Sequence, residues 1–557
     1  MARSLAPVIR AIALLLLAGA VTAEPAGVRA QAEIGAGIYL RGVIASGAPL
    51  IASRDRGAAG ASGSAAACVN CHQHSGLGSM RRRSGTAAAA GSPLIPPVAA
   101  RYLLEPERAD GAHHGKVDLP YVEGMRTRRR AYTEETLARA IREGVDSEGR
   151  ALDPLMPHFD LGPSDMAALI AYLKTLAPAR IPGVSDSTIQ FATIVTPDAD
   201  PARRDAMLEV IEKYFAERNS RQMKPSPQLQ ASGHTQFSRS MFMIHRQWQL
   251  HVWSLDGPPA TWGEQLAKAY AREPVMAVIS GIGGAEWAPV HRFCEHEQLP
   301  CLFPNVEVPV DADSDFYDLY FSKGVLLEAE LIAGRIVAQG ARVVHQIYRA
   351  GDSGEAAARW LGGRLAPRHL EPHDHALPAK ARLEAALRGI GKNDALVLWL
   401  RPSDLAALAE EPAPPGAIYL SGLMGNFERA PLPAAWRERA RMAYIVDLPQ
   451  QRIVRVDYPL GWFRIRQIQI VDERLQADTY LACGLLSEAL SDVAGTFDRA
   501  YLIEELQGMV EHRIVTGYYP RLTLAENQHF ASKGGYLVQF AEPSGSRLVA
   551  DGAWTVP

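Results

Sequence analysis

From residue 188 onward the chain repeats one rhythm: a short apolar run, a turn, then a stretch with apolar residues three and four apart. Ile189 to Thr196, Trp248 to Leu255, Val275 to Ser280 and Cys301 to Phe303 read as strands, and Ala202 to Glu217, Thr261 to Arg272 and Ala288 to His296 as helices. The rhythm recurs with strands at Val343–Tyr348, Ala395–Leu400, Ala417–Leu420 and Ala443–Val446. Such alternation predicts parallel sheets covered by helices, and two runs of it predict two lobes. Before residue 178 the pattern is helical and loop-rich, ending in an apolar-periodic run from Met166 to Leu176 with Ser164-Asp165 as its cap. Residues 178–187, rich in Pro, Gly and Ser, read as a linker. The fold class is therefore multidomain: a mainly α domain, then a two-lobed α/β region with parallel sheets.

Composition narrows this picture. At 557 residues the chain is too long for one core. Its net charge of -3 argues against a general nucleic-acid binder. Arg3 and Arg10, the apolar stretch Ala11 to Ala20, and the small-x-small sites Val21-Thr22-Ala23 and Val28-Arg29-Ala30 read as a signal peptide over residues 1–30, hence export to the periplasm. The apolar run is short for a bilayer span, which leaves an uncleaved anchor as the alternative.

Cys68-Val69-Asn70-Cys71-His72 has the C-x-x-C-H order of a c-type haem attachment site. Two thiols one turn apart add to the haem vinyl groups, and the histidine that follows supplies an axial imidazole. Half of a zinc site or a redox dithiol is the competing reading, but no second Cys-x-x-Cys is present. The expected cofactor is one covalent haem c. Met156 lies in a loop stiffened by Pro154 and Pro157, and is the expected second axial ligand; His158, Met80, Met125 and Met166 are its rivals. Arg81-Arg82-Arg83 and Arg126 to Arg130 form a solvated face or a steering surface for an acidic redox partner. His113-His114 are adjacent, so on a helix they would not face one site.

The motif at Cys68–His72, the stretch Tyr132 to Val145, Leu155-Met156-Pro157 and Ala168 to Lys174 together resemble a class I cytochrome c domain, over residues 31–177, of the kind that serves periplasmic dehydrogenases. The resemblance implies electron transfer through His72 and Met156 with a periplasmic dehydrogenase as redox partner.

A second resemblance covers residues 188–557. Val275 to Gly284 running into Cys294 to Asn305, then Tyr480 to Leu490 and Thr516 to Leu524, are similar to a type 1 periplasmic substrate-binding protein of the branched-chain amino acid kind. This implies a cleft between two lobes, a small organic solute and an ABC permease as partner. Ligands in α/β folds gather at the carboxyl ends of strands. The candidate residues are Ser280, Gly281, Gly283 and Gly284, whose backbone could approach an anion, with Trp287 and Tyr348 as possible cleft-facing rings. In that family a hydroxyl-bearing residue after such a loop often binds the amino acid carboxylate; here Ala285, Glu286 and Trp287 follow. Cys294 and Cys301 flank a helix-to-strand turn and either pair or fill the core, while Cys483 sits in an apolar helical run. No Ser–His–Asp or paired-carboxylate arrangement can be argued from spacing. The reading is an electron carrier with a solute-binding module rather than an enzyme. A haem redox enzyme, or an importer's binding protein with an accessory haem domain, is the alternative.

Overall fold

The computed structural model describes residues 26–54, 60–78, 95–104, 130–176, 180–220, 246–312, 315–493, 497–513, 515–525 and 528–557. The apolar export segment, Met80, Met125, both arginine runs up to residue 129, and His113-His114 lie outside them. Among the described residues no helix is long and apolar enough to cross a membrane. The chain forms two compact units: Met1–Cys71 with Val98–Glu107 and Arg128–Leu176, and His72–Pro97 with Arg108–Thr127 and Ala177–Pro557.

In the first unit, helices α1 (Ala26–Ala36) and α4 (Pro163–Leu173) cross at Gly35. A Cβ there would stand 2.0 Å from the Ala168 carbonyl oxygen and 2.7 Å from Tyr172 Cβ, so only glycine lets the backbones approach this closely. Tyr39 and Tyr172 pack beside the crossing with ring centroids 5.2 Å apart. Between them in sequence come the one-turn helix α2 (Val69–His72) and α3 (Glu134–Glu143). Helix α3 is opened by a capping box of Thr133 and Thr136 and closed by Gly144 at φ 66°. A small antiparallel sheet, order β2-β1-β3, joins β1 (Ile51–Ser53), β2 (Ala61–Ser62) and β3 (His158–Phe159). The expected cap of α4 is corrected: the helix starts at Pro163 after Gly162, and Asp165 accepts the Ala45 N–H at 3.0 Å instead.

The second unit holds two sheets. The first has order β5-β4-β6-β7-β8, all parallel, from β4 (Thr188–Val195), β5 (Gln247–Ser254), β6 (Ala277–Ile279), β7 (Cys301–Leu302) and β8 (Asp318–Leu319). Helices α5 (Pro201–Ser220), α6 (Trp262–Arg272) and α7 (Ala288–His296) alternate with these strands. After α8 (Val325–Gln339) the second sheet follows, with order β10-β9-β11-β12-β13-β14-β15. Its parallel part is β9 (Val344–Arg349), then helix α9 (Ser353–Leu365), β10 (His373–Leu377), β11 (Ala395–Trp399), β12 (Ala417–Ser421) and β13 (Ala440–Tyr444). Helices α10 (Pro449–Ile465), α11 (Glu473–Asp492) and α12 (Arg499–Met509) come next. Strands β14 (Tyr536–Phe540) and β15 (Leu548–Ala550) then add antiparallel at the edge. Each sheet carries its own apolar core, one around Trp253, Trp287 and Val290, the other around Ile332, Trp399 and Tyr419.

The chain crosses between the lobes three times. It leaves the first lobe after β8 and the second after β13. Helices α11 and α12 then return to the first lobe, where Thr479 bonds Ser280 at 3.2 Å and Arg499 bonds the Val275 carbonyl at 2.6 Å. The first and third crossings run side by side, joined by Tyr320 N–H to His529 O at 2.8 Å and Ser532 N–H to Phe321 O at 2.7 Å. Residues within the expected linker are themselves tied down. Ile181 is buried, the Gly183 carbonyl accepts the Gln190 N–H at 2.7 Å, and a Cβ on Gly183 would meet the backbone of Val275 and Met276 at 2.5 Å.

Candidate functional site

Strand order places a cleft in the second unit. Each sheet begins with its second strand, then its first, then its third, so each has one point where neighbouring strands send their connections to opposite faces. In the first sheet this lies between β4 and β6, whose carboxyl ends lead to Asp198 and Gly284; in the second it lies between β9 and β11, leading to Arg349–Asp352 and Arg401–Asp404. One cavity of about 390 Å³ is lined by Asp198, Gly284, Arg349, Asp352, Arg401 and Asp404 with their neighbours, so both switch points face it.

The electrostatics of that cavity are unusual for a carboxylate site. Arg401 donates to both Glu307 oxygens at 2.7 and 2.6 Å and to both Asp352 oxygens at 2.9 and 2.5 Å. Arg349 donates to Asp404 at 3.2 and 2.7 Å and to the Pro378 and Ala381 carbonyls. Three carboxylates and two guanidiniums line the space, and both cations already have partners. Across from them, the Asp198 carboxylate, which accepts a hydrogen bond from Thr196, sits 2.2 Å from where a Gly284 Cβ would be. The protein's own anion therefore rests against the glycine turn.

The residues singled out in the sequence divide sharply. Gly284 lines the cavity. Ser280 is fully buried at φ 56°, and its hydroxyl contacts Thr479 at 3.2 Å and accepts from Asn305 at 2.8 Å. Gly281 and Gly283 make room for Trp287, whose ring would stand 3.2 and 2.9 Å from Cβ atoms placed on them. Trp287 itself is 1% exposed within the first core, so the expectation of a stacking ring is corrected: neither face is open to a solute. Tyr348 is likewise turned into the second core, and the next residue, Arg349, lines the cavity. Successive side chains on a strand point to opposite faces, which explains the one-residue miss. Asp198 and Arg401 escaped notice, although Arg401 lies two residues beyond the end of β11, where strand-end logic would have found it.

The haem-motif residues each have a definite setting. Cys68 and Cys71 are free thiols, and burial pushes the Cys68 thiol up to about 12. Asn70 braces the turn by donating to the Ser64 carbonyl at 2.8 Å. His72 is buried, and its Nδ1 lies 3.0 Å from the Pro96 carbonyl oxygen. That contact requires Nδ1 to carry the hydrogen and leaves the Nε2 lone pair free. Burial lowers the imidazole to about 4, against the opposing effect of the Pro96 contact, so the ring is neutral at physiological pH. Within the second unit, Ser75 just beyond donates its N–H and hydroxyl to Glu504 at 2.8 and 2.6 Å. A pair of unbridged thiols and a neutral imidazole with a fixed tautomer is a donor set that suits a covalently held haem. Met156 is half-buried in a turn closed by its N–H on the Asp153 carbonyl at 2.9 Å. Its rival Met166 is buried in α4, and the His158 ring packs on Gly144.

No protein-family model matches the chain, and no curated protein does. Solved structures similar to it include a fatty acid ABC transporter substrate-binding protein from Thermomonospora curvata, 14% identical, covering 68% of this chain and 95% of its own, with a TM-score of 0.47. A substrate-binding periplasmic protein from Ralstonia solanacearum is 13% identical over 65% of this chain and all of its own, with a TM-score of 0.49. A leucine-binding protein from Thermotoga maritima is 14% identical over 66% and 99%, with a TM-score of 0.46.

Proposed function

We propose that this chain is a periplasmic solute-binding protein that carries one covalent haem c. The observation that carries the binding reading is the meeting of both sheets' switch points on one cavity of about 390 Å³. A two-lobed module of this kind closes over its ligand by rotation about the connecting segments. The cavity's charges define the solute class. With both arginines already paired and Asp198 filling the glycine turn, a carboxylate would meet like charge, whereas a neutral hydroxylated or a cationic organic molecule finds acceptors. An ABC permease is the partner that such a module would serve.

The deciding experiment is calorimetric titration of the exported chain with neutral polyols and alcohols, amines, amino acids and simple carboxylates. Neutral or cationic solutes should bind, and Asp198→Asn should weaken the cationic ones. Binding of carboxylates alone would sink the solute assignment, and heat from none of them would sink the binding role.

The His72–Pro96 contact favours an additional role in electron transfer. Cys68 and Cys71 would hold the haem, His72 Nε2 and Met156 would be its iron ligands, and the bound group would supply one-electron exchange. What the chain itself contributes is a neutral, oriented imidazole and a soft thioether. A periplasmic dehydrogenase is the redox partner this role implies. With His72 and Met156 both holding the iron, the bound group would serve electron exchange rather than turnover of a substrate. A low-spin spectrum with a methionine–iron band supports this role, and a high-spin five-coordinate spectrum removes it.

A further inference from the structure

Along α7 and the two strands that follow it, two buried triads of side chains meet at one residue, Asp318. His291 and Cys294 lie three residues apart on α7 and so share a face. Cys301 opens β7 and Asp318 opens β8, and the two are direct register partners in the parallel pair. The donor atoms of Cys294, Cys301 and Asp318 lie within 4.8 Å of one another, as do those of His291, Glu295 and Asp318. His291, Cys294, Cys301 and Asp318 are essentially closed to solvent, and Asp318 is 0% exposed.

Asp318 makes this more than a crowded corner. Neither of its carboxyl oxygens has a hydrogen-bond partner in normal geometry, and His291 Nδ1 stands 3.5 Å from Oδ1. A fully buried carboxylate without partners is costly unless something neutralises it. The backbone N–H groups nearest in sequence are not free to do so. Glu295 takes those of Phe316, Tyr317 and Asp318 itself, at 2.6 to 3.1 Å.

We propose that His291, Cys294, Cys301 and Asp318 form a structural site for a four-coordinate divalent cation of the zinc class. Two thiolates, an imidazole and a carboxylate are a zinc donor set, and at zinc–ligand distances of about 2.0–2.3 Å the donors sit about 3.3–3.8 Å apart. The His291–Asp318 separation already falls there, and the two sulfurs lie within 4.8 Å of the Asp318 carboxylate, so cation binding would have to draw the thiols and the imidazole together around it. The surrounding residues complete the design. Asp315 Oδ2 lies 2.5 Å from His291 Nε2, the carboxylate–histidine arrangement that fixes the tautomer and turns the Nδ1 lone pair toward Asp318. Tyr320 OH, 2.8 Å from Nδ1, would yield its place to the cation. Binding releases the two thiol protons, as metal uptake by cysteine sites must. A Cys294–Cys301 disulfide, the other chemistry open to this pair, would leave the buried Asp318 carboxylate with only the His291 ring, 3.5 Å from Oδ1, beside it.

The test uses the full exported chain, stripped by chelator with its thiols kept reduced, then titrated with zinc. One zinc per chain is expected beyond the haem iron, and absorption at the zinc edge, which the haem does not obscure, should show two sulfur scatterers at about 2.3 Å. Asp318→Asn should lower zinc affinity at least tenfold. Asp315→Asn, at the rim, should lower it 10–100-fold while sulfur ligation persists. If Asp318→Asn fails to fold, the wild-type edge spectrum and Asp315→Asn still carry the test. No zinc uptake with both thiols titratable, a zinc shell without sulfur, or a Cys294–Cys301 disulfide in freshly exported protein would each overturn the site.

Discussion

Arg401, on the wall of the cleft, grips the buried Glu307 with both terminal nitrogens, at 2.7 and 2.6 Å. Burial alone would raise the Glu307 carboxyl, but Arg401 holds it below the usual carboxylate range. Arg401→Ala would strand a buried anion, and a loss of about 3–5 kcal/mol is expected. The pH dependence has a definite sign. A depressed folded-state value means stability is present above the unfolded carboxylate pKa and is lost as pH falls through the folded one. Urea unfolding followed from pH 7 down into strong acid, well below the ordinary carboxylate range, should show wild type losing this contribution while Arg401→Ala has none to lose. A variant within about 1 kcal/mol of wild type at pH 7 would remove the pair from the stability account.

Glu328 shows the opposite behaviour. It is fully buried on α8, accepts hydrogen bonds from Ser421 Oγ and, at 2.8 Å, from Leu423 N–H, and burial lifts it to about 8. The folded chain therefore keeps a proton that the unfolded chain gives up near 4.5, and stability should decline as pH rises from there toward 8. Glu328→Gln, neutral at every pH, should flatten that slope in chemical denaturation. An unchanged slope would mean that the group ionises in place.

Gly284 and Asp198 form a steric pair at the cleft. Gly284→Ala would drive a methyl group into the Asp198 carboxylate, at an expected cost of about 1–3 kcal/mol. The same substitution in an Asp198→Ala background should cost almost nothing, because the clash is gone. A double-mutant cycle with no coupling would contradict this arrangement.

The α1–α4 crossing tolerates no side chain at residue 35. Gly35→Val should lower the unfolding midpoint of the first unit by several degrees or abolish its transition, since the Ala168 carbonyl is backbone and cannot yield cheaply. Calorimetry that resolves the two units should leave the second unit's transition in place.

Replacing both Cys68 and Cys71 by Ala should yield a chain from which acid–acetone removes all haem, and Met156→Ala should lose the methionine–iron band and lower the potential. Retained haem in the double variant would move the attachment site elsewhere.

Much of the second unit could be read from its sequence, for physical reasons that also explain the misses. Helix α7 was placed to the residue, because its apolar positions recur at helical spacing and Pro289 opens it. Strand β13 was expected at Ala443–Val446 but spans Ala440–Tyr444; its polar Arg441 is held by Asp551 at 2.7 Å, a partner that spacing cannot reveal. Strand β10 went unread because His373, Asp374 and His375 sit on a sheet edge, where polar residues are tolerated. At the cleft, the glycine turn announced itself. Its occupation by Asp198, and the prior engagement of both arginines, depend on residues tens of positions apart.

The threefold crossing of the chain also sets the order in which this protein can be assembled. The first lobe is not finished when its five strands have been made. Ser280 waits for Thr479, 199 residues downstream, and the Val275 carbonyl waits for Arg499, 224 residues away. Closing such distant contacts makes folding slow. A nascent chain therefore remains open until most of its length has emerged, and a truncation before α12 removes part of the first lobe as well as the tail.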